Sequence, residues 1–128
     1  MVAIVHAIYE HLNRSDADAV ARLCAEDFEL DMTGRVFNPD TYKGREDLRR
    51  FLDEVHDAWA SYHWRVEETH VSGDAVVAML HCTARGHESG PEVDWRVAWV
   101  WRFRQGVAVS ARFHRDPSQA LDAVGLQN

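Results

Sequence analysis

The chain has 128 residues, 46% hydrophobic and 27% charged, enough for one domain with a core of its own. Its net charge of −7 argues against general nucleic-acid binding, which needs cations against phosphates. No run of about 18 apolar residues is present, which excludes a helical membrane span.

The N-terminal MVAIVHAIYEHL has neither the basic start nor the small-residue cleavage site of a signal peptide, so the cytoplasm is the expected location. The same stretch carries Val5, Ile8 and Leu12 at helical spacing. Asp16 then caps a second short helix, DADAVARLCAED, with Val20, Leu23 and Cys24 inward. FELDMT reads as a short strand and GRVFNPDTYKG as a loop, punctuated by Gly34, Pro39 and Gly44. The strongest helix is REDLRRFLDEVHDAWASY, where Leu48, Leu52, Val55, Trp59 and Tyr62 recur at three- and four-residue steps. After Tyr62 the period changes to two. HWRVEETHV and AVVAMLHCTARG are strands joined by the turn SGD. HESGPE is a loop, VDWRVAWVWRF a strand, and RQG a tight turn into the strand VAVSARFHR. DPSQALDAVGL closes the chain as a helix with Asp116 at its cap and Pro117 in its first turn. Helices segregated from a four-strand meander mean an α+β domain, and 1–128 reads as one unit.

The strand faces can be matched by parity. Val93, Trp95, Val97, Trp99, Trp101 and Phe103 form one greasy row; Val76, Ala78, Leu80, Cys82 and Ala84 form a second; Val107, Val109, Ala111 and Phe113 form a third. Aromatics on one strand therefore face small residues on the next, and the long helix must cover them. The opposite face shows Arg85, Arg96, Arg102, Arg112, His81 and His114. Cys24 and Cys82, far apart in sequence, read as reduced, buried small hydrophobes.

Four stretches in this order, RLCAEDFELD, YKGREDLRRF, WVWRFRQGVAV and ALDAVGL, make the chain resemble the SnoaL-like branch of the nuclear transport factor 2-like superfamily. That group includes ketosteroid isomerases, polyketide cyclases and limonene epoxide hydrolases. The resemblance implies a cone: a curved, mainly antiparallel sheet wrapped round a long helix (cystatin-like), enclosing a deep pocket. The mouth would be formed by the first helix, the loop after the first strand and the C-terminal helix. It also implies a homodimer through the outer sheet face. The family's catalytic positions are not conserved in kind. The isomerase oxyanion positions match Ile8, with Tyr9 next to it, and Trp99. The buried aspartate of cyclases and hydrolases matches Phe113. The isomerase base falls on either Asp31 or Met32, depending on register.

What remains is a small, mostly apolar ligand, with cofactor-independent cyclase, isomerase or hydrolase chemistry, or with ligand binding or an accessory role alone. Asp31, at the lip of an apolar pocket, is a candidate base; otherwise it caps a turn. His56, near the inward face of the long helix, is a candidate acid or base, or a satisfied core residue. Arg35 could pair with Asp31 or hold an anionic group, and Tyr42 could donate a hydrogen bond at the mouth. Trp59, Trp64, Trp99, Trp101 and Phe113 are candidate pocket walls, or simply core. No metal-ligand spacing and no nucleotide-binding loop occurs, so neither metal nor cofactor is expected.

Overall fold

The computed structural model describes residues 1–36, 38–88 and 90–126. The order is α1 (Val2–Asn13), α2 (Ala17–Arg22), β1 (Cys24–Asp31), β2 (Thr41–Lys43), α3 (Gly44–Ala58), β3 (Ser61–Ser72), β4 (Ala75–Arg85), β5 (Val93–Arg104), β6 (Val107–His114) and α4 (Pro117–Ala123). The six strands form one curled, unclosed sheet in the order β2-β1-β6-β5-β4-β3. Every pairing is antiparallel except β1 with β6. The fold is therefore α+β, as expected. No described helix is long and apolar enough to cross a membrane.

Three boundaries differ from the sequence reading, each because tertiary pairing overrides local pattern. Cys24 begins a strand instead of ending a helix, since it pairs with Ala108 of β6. The segment read as one loop contains β2, which pairs Tyr42 with Leu30. The long helix stops at Ala58: Trp59 is extended (φ −134°, ψ 141°), and the Ala60 N–H donates to the Arg85 carbonyl, which starts the β3–β4 ladder. Trp59 and Tyr62 therefore lie beyond the helix they appeared to belong to. Gly44 takes φ +78° where β2 turns into α3, a conformation that costs glycine little.

The rows of side chains meet across the sheet largely as expected. Trp99 lies opposite Ala78 and Phe113, Trp101 opposite Val76 and Ala111, and Trp95 opposite Cys82. Large rings beside small residues keep the layer level. One phase differs. A bulge after Arg102 pairs Phe103 with Ala108, so Ala108 enters the core while Val107 and Val109 are only half-buried.

α1 packs Val5, Ile8, Tyr9 and Leu12 onto this face, and Leu48, Phe51, Leu52 and Val55 of α3 cover the rest. Asn13 locks α1 to β3 by a reciprocal pair: its Nδ2 donates to the Trp64 carbonyl (2.8 Å) and its Oδ1 accepts the Trp64 N–H (2.9 Å). α4 lies on the opposite, outer face, where Ala120 and Leu121 meet Ala75, Val77, Ala98 and Val100. That face is thus partly covered by the chain itself. Both cysteines are free and buried, and burial pushes the Cys24 thiol up to about 12 and the Cys82 thiol up to about 11. Neither is a nucleophile at neutral pH.

Candidate functional site: an aromatic cavity with one polar edge

The inner sheet face is not filled from end to end. Where α1 stops, α3 and the β1–β2 loop arch over a cavity of about 700 Å³. The loop supplies Met32, Arg35, Val36 and Asn38; α3 supplies Phe51, Glu54, Val55 and Ala58; the strands supply Tyr62, Trp64, Trp95, Trp99 and Phe113. No residue of α1 or α4 lines it, so the expectation that these helices form the mouth is corrected. α1 is spent on packing the other half of the sheet, and α4 on the outer face.

The loop sits close because of one glycine. A Cβ at Gly34 would stand 3.1 Å from the Phe113 carbonyl oxygen and 3.2 Å from its ring. A larger residue would have to lift the loop off β6 or displace Phe113, and with it one wall of the cavity.

Seven of the described lining residues are aromatic. Trp59 and Trp95 have centroids 5.7 Å apart, Tyr62 and Trp64 4.4 Å, and Tyr62 and Trp95 5.7 Å. Phe51 bridges to Trp64 and Trp99 at 6.2 and 6.0 Å. Burial first, and then the neighbouring Cys82, hold the Tyr62 phenol well above its usual range, so it stays protonated.

The polar edge is a chain of hydrogen bonds along the rim. Arg35 Nη2 donates to the Asn38 carbonyl (2.8 Å) and to the Tyr42 hydroxyl oxygen (2.9 Å). Tyr42 in turn donates to Glu54 Oε1 at 2.6 Å. Glu54 Oε2 accepts from Arg50, which also pairs with Asp40 and Asp47 and lies 4.3 Å from the Tyr42 ring centroid. Burial, and then the anionic partner Glu54, raise the Tyr42 pKa, so this phenol is also a donor at neutral pH.

The candidate residues divide cleanly. Arg35, Trp59, Trp64, Trp99 and Phe113 line the cavity; Tyr42 does not, because its ring is buried and its hydroxyl is spent on two residues that do, accepting from Arg35 and donating to Glu54. Trp101 does not line it. It lies behind Trp99, stacked on Trp99 and Phe28, with its indole N–H donated to the Tyr9 hydroxyl at 3.0 Å. Asp31 is not at the lip either. Strand parity aims Leu30 and Met32 inward, so Met32 holds the cavity position and Asp31 the outer face. There Asp31 accepts the Thr33 N–H (2.9 Å) and hydroxyl, with Arg112 at 3.7 Å. Partial burial alone would raise its pKa; the Thr33 bonds and the Arg112 charge overcome that and hold it below the usual carboxylate value. A strongly held anion facing away from the cavity is not a base for a ligand inside it. His56 is exposed, with Nε2 2.7 Å from Ser15 Oγ. It points away because the cavity-facing stripe of α3 is Phe51, Glu54, Val55 and Ala58. Among the described residues no cluster of His, Cys, Asp or Glu is arranged to hold a metal ion.

Glu54, Tyr62, Trp95 and Arg115 were not legible as site residues. Trp95 and Tyr62 had a signal, since both share the parity of an inward row. Glu54 had a weaker one, four residues beyond Arg50 and three beyond Phe51 on one helix.

The SnoaL-like domain profile matches residues 5–111. No curated protein matches the chain significantly. Solved structures match closely in shape. An NTF2-like protein of unknown function from Burkholderia pseudomallei superposes with a TM-score of 0.79 at 20% identity, covering 97% of this chain and 96% of its own. An NTF2-like protein from Burkholderia thailandensis gives 0.77 at 25% identity, covering 93% and 95%. TerC, co-crystallised with polyporic acid, gives 0.80 at 17% identity, covering 96% and 95%.

Proposed function

The chain belongs to the SnoaL-like domain family, and from that premise we propose that it binds a small, planar, mostly apolar molecule between the aromatic walls of its cavity. One observation carries the reading: a cavity of about 700 Å³ lined by Phe51, Tyr62, Trp64, Trp95, Trp99 and Phe113, a size and lining suited to a ligand of several fused rings. Stacked and edge-on rings favour flat aromatic surfaces over branched aliphatic ones. TerC, which shares the fold, was co-crystallised with polyporic acid.

The test is a titration of tryptophan emission with neutral N-phenyl-1-naphthylamine. Saturable quenching at one ligand per cavity supports the proposal; a linear, unsaturable response overturns it.

A second reading, cofactor-independent cyclase, isomerase or hydrolase chemistry, is favoured by the Tyr42–Glu54 contact of 2.6 Å. In it Glu54, which lines the cavity and is oriented by Tyr42 and Arg50, takes a proton from an acidic C–H of the ligand and returns it at another carbon, while Asp31 and His56 play no part. Glu54→Gln would then leave binding in place and lower turnover by roughly a hundredfold. If no planar ketone, ester or epoxide that binds is converted, as followed by mass spectrometry, the role is binding alone or that of an accessory protein. The assembly proposed with either reading is a homodimer through the part of the outer face that α4 leaves open.

A further inference from the structure

Resting on the cavity-binding reading, we infer that the ligand carries an ionised oxygen, that of a planar aromatic acid, and that Arg35 is its anchor. The guanidinium is under-used. Of its five N–H groups, the two on Nη2 are committed, to the Asn38 carbonyl and the Tyr42 hydroxyl. Among the described residues, Nη1 has no partner, and Nε is buried without one. No carboxylate of the described residues forms an ion pair with it. Arg35 lines the cavity, and with Nε itself buried, Nη1 is the donor left for what enters.

The charge balance of the lining points the same way. In a chain of net charge −7, the charged side chains lining the cavity besides Arg96 are Arg35, Glu54 and, exposed at its edge, Arg115. Glu54 is already neutralised by Arg50 at 3.0 Å. Arg96 borders the cavity too, but its guanidinium is drawn to Glu67 on the outer face, at 2.9 Å. The cavity is therefore cationic within an anionic protein, and an anionic oxygen would complete the shell of Arg35 with a charge-assisted bond. The Tyr42 hydroxyl, held by both Arg35 and Glu54, fixes where the guanidinium points. It is a positioning group for that oxygen.

Isothermal titration of the intact protein with matched probes tests this. The set is 2-naphthoate, its neutral isostere 2-naphthamide, and 2-hydroxy-1,4-naphthoquinone, whose enol is ionised at neutral pH. The expected result is that one or both anions bind at least about tenfold more tightly than the amide. The tighter of the two identifies the oxygen as carboxylate or enolate. Arg35→Gln should abolish the preference, so that neither anion binds more tightly than the amide does to the same variant, and Arg115→Gln should leave most of it. Should Arg35→Gln fail to fold, the wild-type salt response serves instead: anion affinity falls between low and high ionic strength while amide affinity stays flat. Equal binding of all three probes overturns the inference and leaves the cavity reading standing. A preference that survives Arg35→Gln, or a flat salt response, overturns it as well. Absence of saturable binding by every probe, neutral ones included, sinks both.

Discussion

Replacing Trp99 with alanine is the sharpest test of how the cavity is built, because Trp99 and Trp101 are neighbours with different backing. Both rings are only 2% exposed. Burial of that extent predicts a loss of roughly 3–5 kcal/mol on truncation at either site. Lining a cavity does not make Trp99 cheap, since Tyr9, Phe51 and Trp101 rings pack around it at 5.5–6.0 Å. For a domain of this length the loss corresponds to a fall in Tm of roughly 10–20 °C. Trp101→Ala belongs at the upper end, because it also leaves the Tyr9 hydroxyl buried without its 3.0 Å donor, a further penalty of about 1–3 kcal/mol. The two variants should separate in binding. The space left by Trp99 opens into the existing cavity, so a three-ring probe should gain affinity relative to a two-ring probe. The space left by Trp101 is sealed behind Trp99 and should change nothing. Calorimetric melting and fluorescence titration of both variants check this. If Trp99→Ala melts within about 3 °C of wild type, or if Trp101→Ala and not Trp99→Ala admits the larger probe, the assignment of floor and core is wrong.

Asp31→Asn should lower stability modestly, by less than about 1 kcal/mol at pH 7, because the carboxylate is about a third exposed and its partners are screened. The folded-state pKa is depressed, so this contribution is fully present above the unfolded value and lost as pH falls through the lower folded value; urea midpoints of variant and wild type should converge only once Asp31 is protonated in the folded state, and ligand affinity should be unchanged throughout. His114 is held below its ordinary 6.5, by burial first and then by Arg112, against the attraction of Asp31. Stability should therefore be full above about pH 6.5 and decline as pH falls below it, and His114→Gln should flatten that decline in a series of urea titrations. The proposed homodimer should give twice the chain mass by light scattering at micromolar concentration, and Arg102→Glu combined with Arg112→Glu on the open part of the outer face should shift it to monomer; a wild-type monomer mass refutes the assembly.

Much of the architecture was legible because it follows from local rules. The switch from a period near 3.6 to a period of two after Tyr62 separates helices from meander, and Pro117 behind Asp116 marks the last helix. Trp95, Trp99 and Phe113 could be placed on one face because alternation along a strand leaves no other choice. Asp31 shows the limit of the same rule. Parity put it opposite Leu30 and Met32, but which of the two faces met a cavity was a matter of how β1 lies beside β6. The fate of Trp59 depended likewise on a partner 26 residues away: its helix yields where Ala60 finds the Arg85 carbonyl. The Arg35–Tyr42–Glu54 chain lay beyond reach for the same reason. It joins a loop, a three-residue strand and a helix, and no spacing in the sequence encodes a hydrogen bond among them. Composition and periodicity determine which side chains a strand or helix presents together, since those are properties of one element. Whether such a face is packed shut or left open depends on how far α1 reaches along the sheet and where the β1–β2 loop rests, and only the tertiary structure decides that.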